Sequence, residues 1–315
     1  MLYVSTRNVH ETYTAYRALH ETYAPDGGEF APFHLPKFTD AQLHKMRGQS
    51  VCDTIAEVLN FFFGSRISGW DVECLLGRSP IKLEPMHHKL VVAEVWRNPE
   101  GSYDYLLRCL YGLLLDSDDR SWYPNGWARI GIEIALIFGV YSALEKSGAG
   151  CHIAITDEDF SEFTAVVYAK AMGLPIDFVV YTSVENSAMW DLLNRGEFLV
   201  ANLNLKSDTV NYFETLVFKM FGAEQVVQFV NACNNKGVFH IDDEQKAQLN
   251  DVLFSAVISA DRIDSVVTSI YRSNHYEASA DAAVSFSGLQ DYRSATGVSK
   301  DTLILSKKRP GRIRE

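Results

Sequence analysis

The sequence predicts an α/β fold with a parallel sheet flanked by helices, and two observations carry that expectation. The first is a strand, a helix and a strand between residues 152 and 181. His152-Ile153-Ala154-Ile155 is an apolar run of strand length, and Phe178-Val179-Val180-Tyr181 is another. Between them Phe160–Met172 puts Phe160, Phe163, Val167 and Ala171 on one side of a helix, stopped by Gly173 and Pro175. Two strands joined by one helix run parallel. The second observation is Trp127–Leu144, apolar nearly all round, as a central buried helix is.

The other elements follow in chain order. Residues 9–23 and 39–63 carry helical spacing, with Val51, Ile55, Val58, Leu59 and Phe62 on one face. Leu90–Trp96 reads as a short buried strand and Tyr103–Leu115 as a helix. Residues 185–195, 209–233, 243–257 and 261–273 read as helices, and Leu303-Ile304-Leu305 as a late strand. No internal repeat or low-complexity linker interrupts the chain, which ends in the basic run Lys307-Lys308-Arg309-Pro310-Gly311-Arg312.

Composition narrows the function classes. Of 315 residues, 47% are hydrophobic and 12% aromatic, enough for a sizeable core and too much for disorder. The formal net charge of −11 argues against nucleic-acid or anionic-membrane partners, since both are polyanions. The five cysteines are odd in number, scattered and free of any CxxC, so neither a disulfide framework nor a zinc ribbon is expected. Cys74, Cys109 and Cys151 lie in apolar runs and read as small core residues. Met1–Arg7 is not followed by the apolar stretch of a signal peptide, and no window reaches the ~20 uncharged apolar residues of a membrane span. A soluble cytoplasmic protein is the expectation. His87-His88 point in different directions and have no partner at ligand spacing, and the remaining histidines are singles, so no metal is expected.

A family resemblance appears once several segments are taken in order. Ser5-Thr6-Arg7, then a helix, then Ala24-Pro25-Asp26-Gly27-Gly28-Glu29-Phe30-Ala31-Pro32 resembles the N-terminal signature of threonine synthases, STR followed by APDGGLYVP. The Gly27-Gly28 pair also has its own reading as a tight turn needing positive φ. Glu94–Pro99 is similar to the family's ELFHGP, Asn125–Ile130 to INWARI and Ala169–Ile176 to AKRMGLPI. Glu185-Asn186 and Asn194–Phe198 sit where the family has NEND and TGEY, and Asn211-Tyr212-Phe213-Glu214 resembles SNFER. Leu305-Ser306, then Pro310, sit like the late STAHPAKF. The resemblance implies a pyridoxal phosphate (PLP) enzyme of fold-type II, similar to the tryptophan synthase β chain. Two α/β lobes close on the cofactor after an N-terminal helical region, and O-phosphohomoserine and water become threonine and phosphate. The division it implies is a helical region at 1–85 and an α/β domain at 86–315. Only residues 100–124 stand where the family has a long stretch with an SGDTG loop, so the second lobe is expected to be truncated.

The cofactor machinery is where the chain departs from the pattern. PLP needs a lysine amine, because only an amine forms the Schiff base. Read without gaps, the family's FKD puts Asp104 at the lysine position between Tyr103 and Tyr105, and no lysine occurs between Lys89 and Lys146. The phosphate needs converging N–H groups of a Gly-rich turn at a helix N-terminus. In place of PTGNFGD stands Thr156-Asp157-Glu158-Asp159-Phe160-Ser161-Glu162, without glycine and with three carboxylates where phosphate would dock. Like charges at ~4 Å repel by ~4 kcal/mol at an effective dielectric of 20. The same acids also suit the first turn of a helix, with Asp157 as N-cap. Glu185 and Asn186 are retained and also read as a helix cap. The DPHTAV loop is degraded to Ser279–Val284, and Ser306 persists but is followed by Lys307 and Lys308.

The expected site is therefore a vestigial cofactor cleft of Asp104, Asp157, Glu158, Asp159, Phe160, Asn186 and Ser306, with PLP binding lost and no catalytic residue named. A non-catalytic paralogue that binds a protein partner or small ligand is the favoured reading. Its rivals are threonine synthesis itself, new acid/base chemistry on Asp104, Asp157 or Asp159, and residual PLP chemistry on another lysine such as Lys170. One further expectation is that the basic segment Lys307-Lys308-Arg309 pairs with the acidic cradle and plugs the cleft.

Overall fold

The computed structural model describes residues 1–144, 150–156, 160–185, 187–199, 207–235 and 237–311. Its elements in chain order are β1 (Leu2–Ser5), β2 (Tyr13–Thr14), α1 (Ala15–His20), β3 (Phe30–Pro32), α2 (Asp40–Met46), α3 (Val51–Phe63) and α4 (Gly69–Leu76). Then come β4 (Lys82–Met86), β5 (Leu90–Glu94), α5 (Tyr103–Leu114), α6 (Gly126–Ala143), β6 (Cys151–Ile155), α7 (Ser161–Ala171), β7 (Ile176–Val184), α8 (Ala188–Arg195) and β8 (Glu197–Leu199). The chain continues through α9 (Ser207–Phe221), α10 (Ala223–Asn234), β9 (Val238–His240), α11 (Asp243–Asn250), β10 (Leu253–Ile258), α12 (Arg262–Asn274), α13 (Ala280–Thr296) and β11 (Thr302–Ser306).

Among the described residues, the main sheet has six strands in the order β10-β7-β6-β11-β5-β4. All pairs are parallel except β4 with β5. The expected β6–α7–β7 unit forms, with Ile153 opposite Val179 and Ile155 opposite Tyr181. Both faces of the sheet are covered, as a parallel sheet requires. Leu303 and Leu305 face the larger core and Ile304 the smaller one beneath α12 and α13, the period-2 alternation of a strand. The boundary drawn at 85/86 falls inside β4, and one apolar core runs from Tyr3 to Leu305 across it.

Helix α6 is buried along almost its whole length, and α3 and α7 pack against it. Gly131 and Gly139 make the α3 crossing close: a Cβ there would come within 2.8 Å of the Phe63 ring and 2.9 Å of the Ile55 side chain. The N-terminal signature closes a network of its own. Gly27 has φ +79, as the turn demands. Ser5 Oγ donates to Asp26 at 2.8 Å, while Thr6 Oγ1 at 2.5 Å and Arg7 Nε and Nη2 at 3.1 and 2.7 Å converge on the buried Glu214 of α9. Three segments that resemble the family thus meet in space.

Several local expectations are corrected. The helix read over 9–23 is only α1, because Tyr13-Thr14 pairs with β1 and Thr14 caps the helix. The one read over 39–63 is two, restarted by the Ser50 N-cap, and that over 209–233 is broken at Gly222, φ +86. The helix read over 243–257 ends at Asn250, and Leu253–Ile258 is an edge strand parallel to β7. Cys74 is exposed rather than core, on the outer face of α4.

Candidate functional site

Strands β5, β6 and β11 run parallel and end at Glu94, Ile155 and Ser306, so their C-terminal ends open on one edge of the sheet. Helices α5 and α7 begin just beyond that edge. Open α/β sheets bind ligands in this crevice. The topology thus brings together the segments near 94–103, Thr156 with 160–162, and 305–309, each read in the sequence as part of a cofactor site.

Two charged networks occupy the crevice. In the first, Glu133 of α6 is buried, and its Oε1 accepts from Tyr103 Oη, Arg129 Nε and Ser161 Oγ, each at 3.2 Å. Arg129 Nη1 also donates to Tyr123 Oη at 3.0 Å, and Tyr123 Oη donates to Asp104 Oδ1 at 3.2 Å. Burial, then the carboxylates of Glu133 and Glu162, hold the Tyr103 phenol well above its ordinary range. In the second network, Lys307 Nζ reaches from the end of β11 to Glu162 Oε2 at 2.7 Å and the Thr156 carbonyl at 3.1 Å. The Lys307 backbone N–H donates to Asp281 Oδ2 at 2.6 Å. Burial raises the Glu162 carboxyl most, Lys307 pulls it down, and Glu133 and Asp281 raise it again; the balance leaves it at about 7.

The C-terminal segment lies across the crevice as a strap. Ser306 Oγ and Ser279 Oγ share a hydrogen bond of 2.8 Å, and Arg309 lies over the Trp96 ring and against Gly101. Beneath it lies a small cavity of about 10 Å³ lined by Val95, Tyr103, Glu133, Leu136, Glu162 and Leu305 among others. That is room for about one water.

The sequence-named residues do not all meet there. Asp104 is exposed at the first turn of α5 and holds Tyr123; its neighbour Tyr103 is the one that faces Glu133. Phe160 is buried with φ +67, and packs on Tyr181, Phe198 and Phe213 rather than lining the cavity. Ser306 is buried in the strap. Asp157, Glu158, Asp159 and Asn186 lie outside the described residues. The plug expected between the basic segment and Asp157, Glu158 and Asp159 falls on residues outside the described ones; Lys307 does reach the start of α7, where it pairs with Glu162. Sequence reasoning passed over Glu133, Glu162 and Asp281. The signal for Glu133 was a lone acid in an otherwise apolar helix, which burial turns into a paired charge.

Residues 2–79 match the family model described as threonine synthase N terminus. No curated protein sequence matches the chain. Among solved structures, a PLP-bound threonine synthase from Brucella melitensis superposes with a TM-score of 0.83 at 17% identity, covering 99% of this chain and 89% of that one. The chain has the threonine synthase fold. The yeast threonine synthase gives a TM-score of 0.79 at 15% identity over 98% of this chain and 87% of its own. That from Escherichia coli gives 0.71 at 12% over 98% and 89%.

At the starts of α5 and α7 the described residues differ from those that PLP calls for. The start of α5 offers Ser102, Tyr103 and Asp104 where an amine is needed. The start of α7 offers the Glu162 carboxylate, already holding a cation, where a phosphate needs free N–H groups. Lys170 is remote from the site: its ammonium caps the carbonyls of Ile176 and Asp177 at the other end of α7.

Proposed function

We propose that this chain is a non-catalytic paralogue of the threonine synthases, which keeps the scaffold and acts by binding rather than by PLP chemistry. The observation that carries the reading is the buried Lys307–Glu162 pair at the start of α7, with side chains 17% and 4% exposed. An anion-binding helix N-terminus would need its N–H groups open to a phosphate. Here a carboxylate and an ammonium satisfy each other at that place, and the strap closes over them. The Tyr103–Glu133–Arg129 network supports the same reading, because it fills the volume next to the lysine position with a paired charge.

The acid/base alternative has less support. Asp104 is exposed and faces away from the cavity, and Glu162, whose carboxyl lies near neutrality, is held by Lys307 and walled from solvent. The test is equilibrium dialysis of the purified protein against PLP, followed by its visible absorbance. No retained cofactor is expected. Retention at one equivalent per chain refutes the reading.

A further inference from the structure

We propose that the start of α7 is a binding site for a primary ammonium group, filled in this structure by the protein's own Lys307. The inference deepens the non-catalytic reading by naming the ligand chemistry of the altered cleft. It rests on that reading only for the claim that no phosphate competes for the place.

The acceptors are arranged for a cation. Glu162 Oε2 lies 2.7 Å and the Thr156 carbonyl oxygen 3.1 Å from Nζ. A carboxylate and a main-chain carbonyl match the tetrahedral donors of an ammonium. Two more buried carboxylates add to the negative field: both Glu133 and Asp281 act on Glu162. Within that cluster, Asp281 is 6% exposed, and its Oδ1 is buried with no hydrogen-bond partner among the described residues. An unmet acceptor inside the fold marks capacity for donors beyond those the strap supplies.

The occupant sits on the segment that leaves the sheet after β11. Lys307 follows the last residue of β11 and is held by its N–H on Asp281, by Ser306 on Ser279 and by Arg309 on Trp96. No helix or strand continues beyond Ser306 among the described residues. A free primary amine gains the site when the Lys307 side chain leaves it, so Lys307 acts as an internal competitor. The adjoining cavity is small, about 10 Å³, which favours a slim primary ammonium over a quaternary head.

The experiment is chemical rescue in the full chain. Lys307→Ala keeps the β-carbon, so n-propylammonium supplies the missing carbons and the ammonium. Thermal melts at pH 8 compare the variant and the parent in n-propylammonium and tetramethylammonium chloride at equal ionic strength. The expected result is a lower Tm for Lys307→Ala, raised saturably by n-propylammonium and not by tetramethylammonium, with no saturable rise in the parent. Glu162→Gln added to Lys307→Ala is expected to abolish the rescue. Should Lys307→Ala not fold unaided, its refolding yield with and without n-propylammonium is the readout, and a yield the amine does not raise overturns the proposal. So does an equal response to both cations, or rescue that survives Glu162→Gln. None of these results depends on whether PLP is retained, so the two readings fail separately.

Discussion

Replacing Lys307 by alanine should destabilise the protein more at pH 8 than at pH 5, and the difference follows from Glu162. In the folded chain this carboxyl lies at about 7, against its ordinary 4.5. A folded pKa above the unfolded one means the native state holds the extra proton between those values. Stability from this group is therefore full below pH 4.5, falls as the pH rises, and levels off above 7. At ~1.4 kcal/mol per pH unit, the fall in the parent is on the order of a few kcal/mol. Lys307 is the main influence holding the carboxyl down. Without it the folded carboxyl is held higher still and the decline with pH runs further, so the variant loses more stability than the parent by pH 8. At pH 5 Glu162 is protonated in both native proteins, so this contribution vanishes. Glu133, Asp281, Tyr103 and Arg129 surround the pair in both and cancel to first order. Urea unfolding of parent and variant at pH 5, 6.5 and 8 measures the effect. A cost that is equal at pH 5 and 8, or larger at pH 5, refutes the pairing.

Three other outcomes are expected. Glu162→Gln should flatten the pH dependence of stability between 4.5 and 7, as read from the same urea midpoints. Arg7→Ala should cost about 3 kcal/mol in urea unfolding, because it leaves the buried Glu214 carboxylate with a lost bidentate partner. Asp104→Lys should not confer PLP retention in dialysis, since residue 104 lies on the exposed face of α5 and the start of α7 stays blocked by Lys307.

The sheet centre was legible because its signals are local. The apolar runs of β6 and β7, the Phe160–Met172 periodicity and the Gly173/Pro175 stop all agree with one another. The edges were not. Strand β4 reads Lys82-Leu83-Glu84-Pro85-Met86, polar and proline-bearing as an edge strand tolerates, and so gives no strand signal. Strand β10 follows α11 after two residues, and a six-residue apolar run there continues helical spacing as readily as it alternates. Helix α13 was missed because its buried face is Ala, Ser and Gly, chosen for close packing on the sheet rather than for hydrophobic contrast.

The site was legible in its segments and less so in its side chains. Motif order located the starts of α5 and α7 and the end of β11, and these converge. A gapless reading placed Asp104 at the lysine position, yet the helix turns Tyr103 toward Glu133 and Asp104 outward. A pattern of spacings cannot distinguish neighbours about 100° apart on a helix that has only just begun. Glu162 and Lys307 were both in the segments named, but their pairing depends on strands β6 and β11 being adjacent, which only the topology supplies.

On the reading proposed above, the threonine synthase scaffold here no longer forms a covalent link to PLP. Incubation with PLP, reduction with borohydride and peptide mapping by mass spectrometry test it directly. No stoichiometric adduct is expected on any single lysine, Lys307 and Lys170 included. One lysine labelled to completion would contradict it, and labelling of Lys307 would show that the residue seen pairing with Glu162 is the amine the cofactor takes.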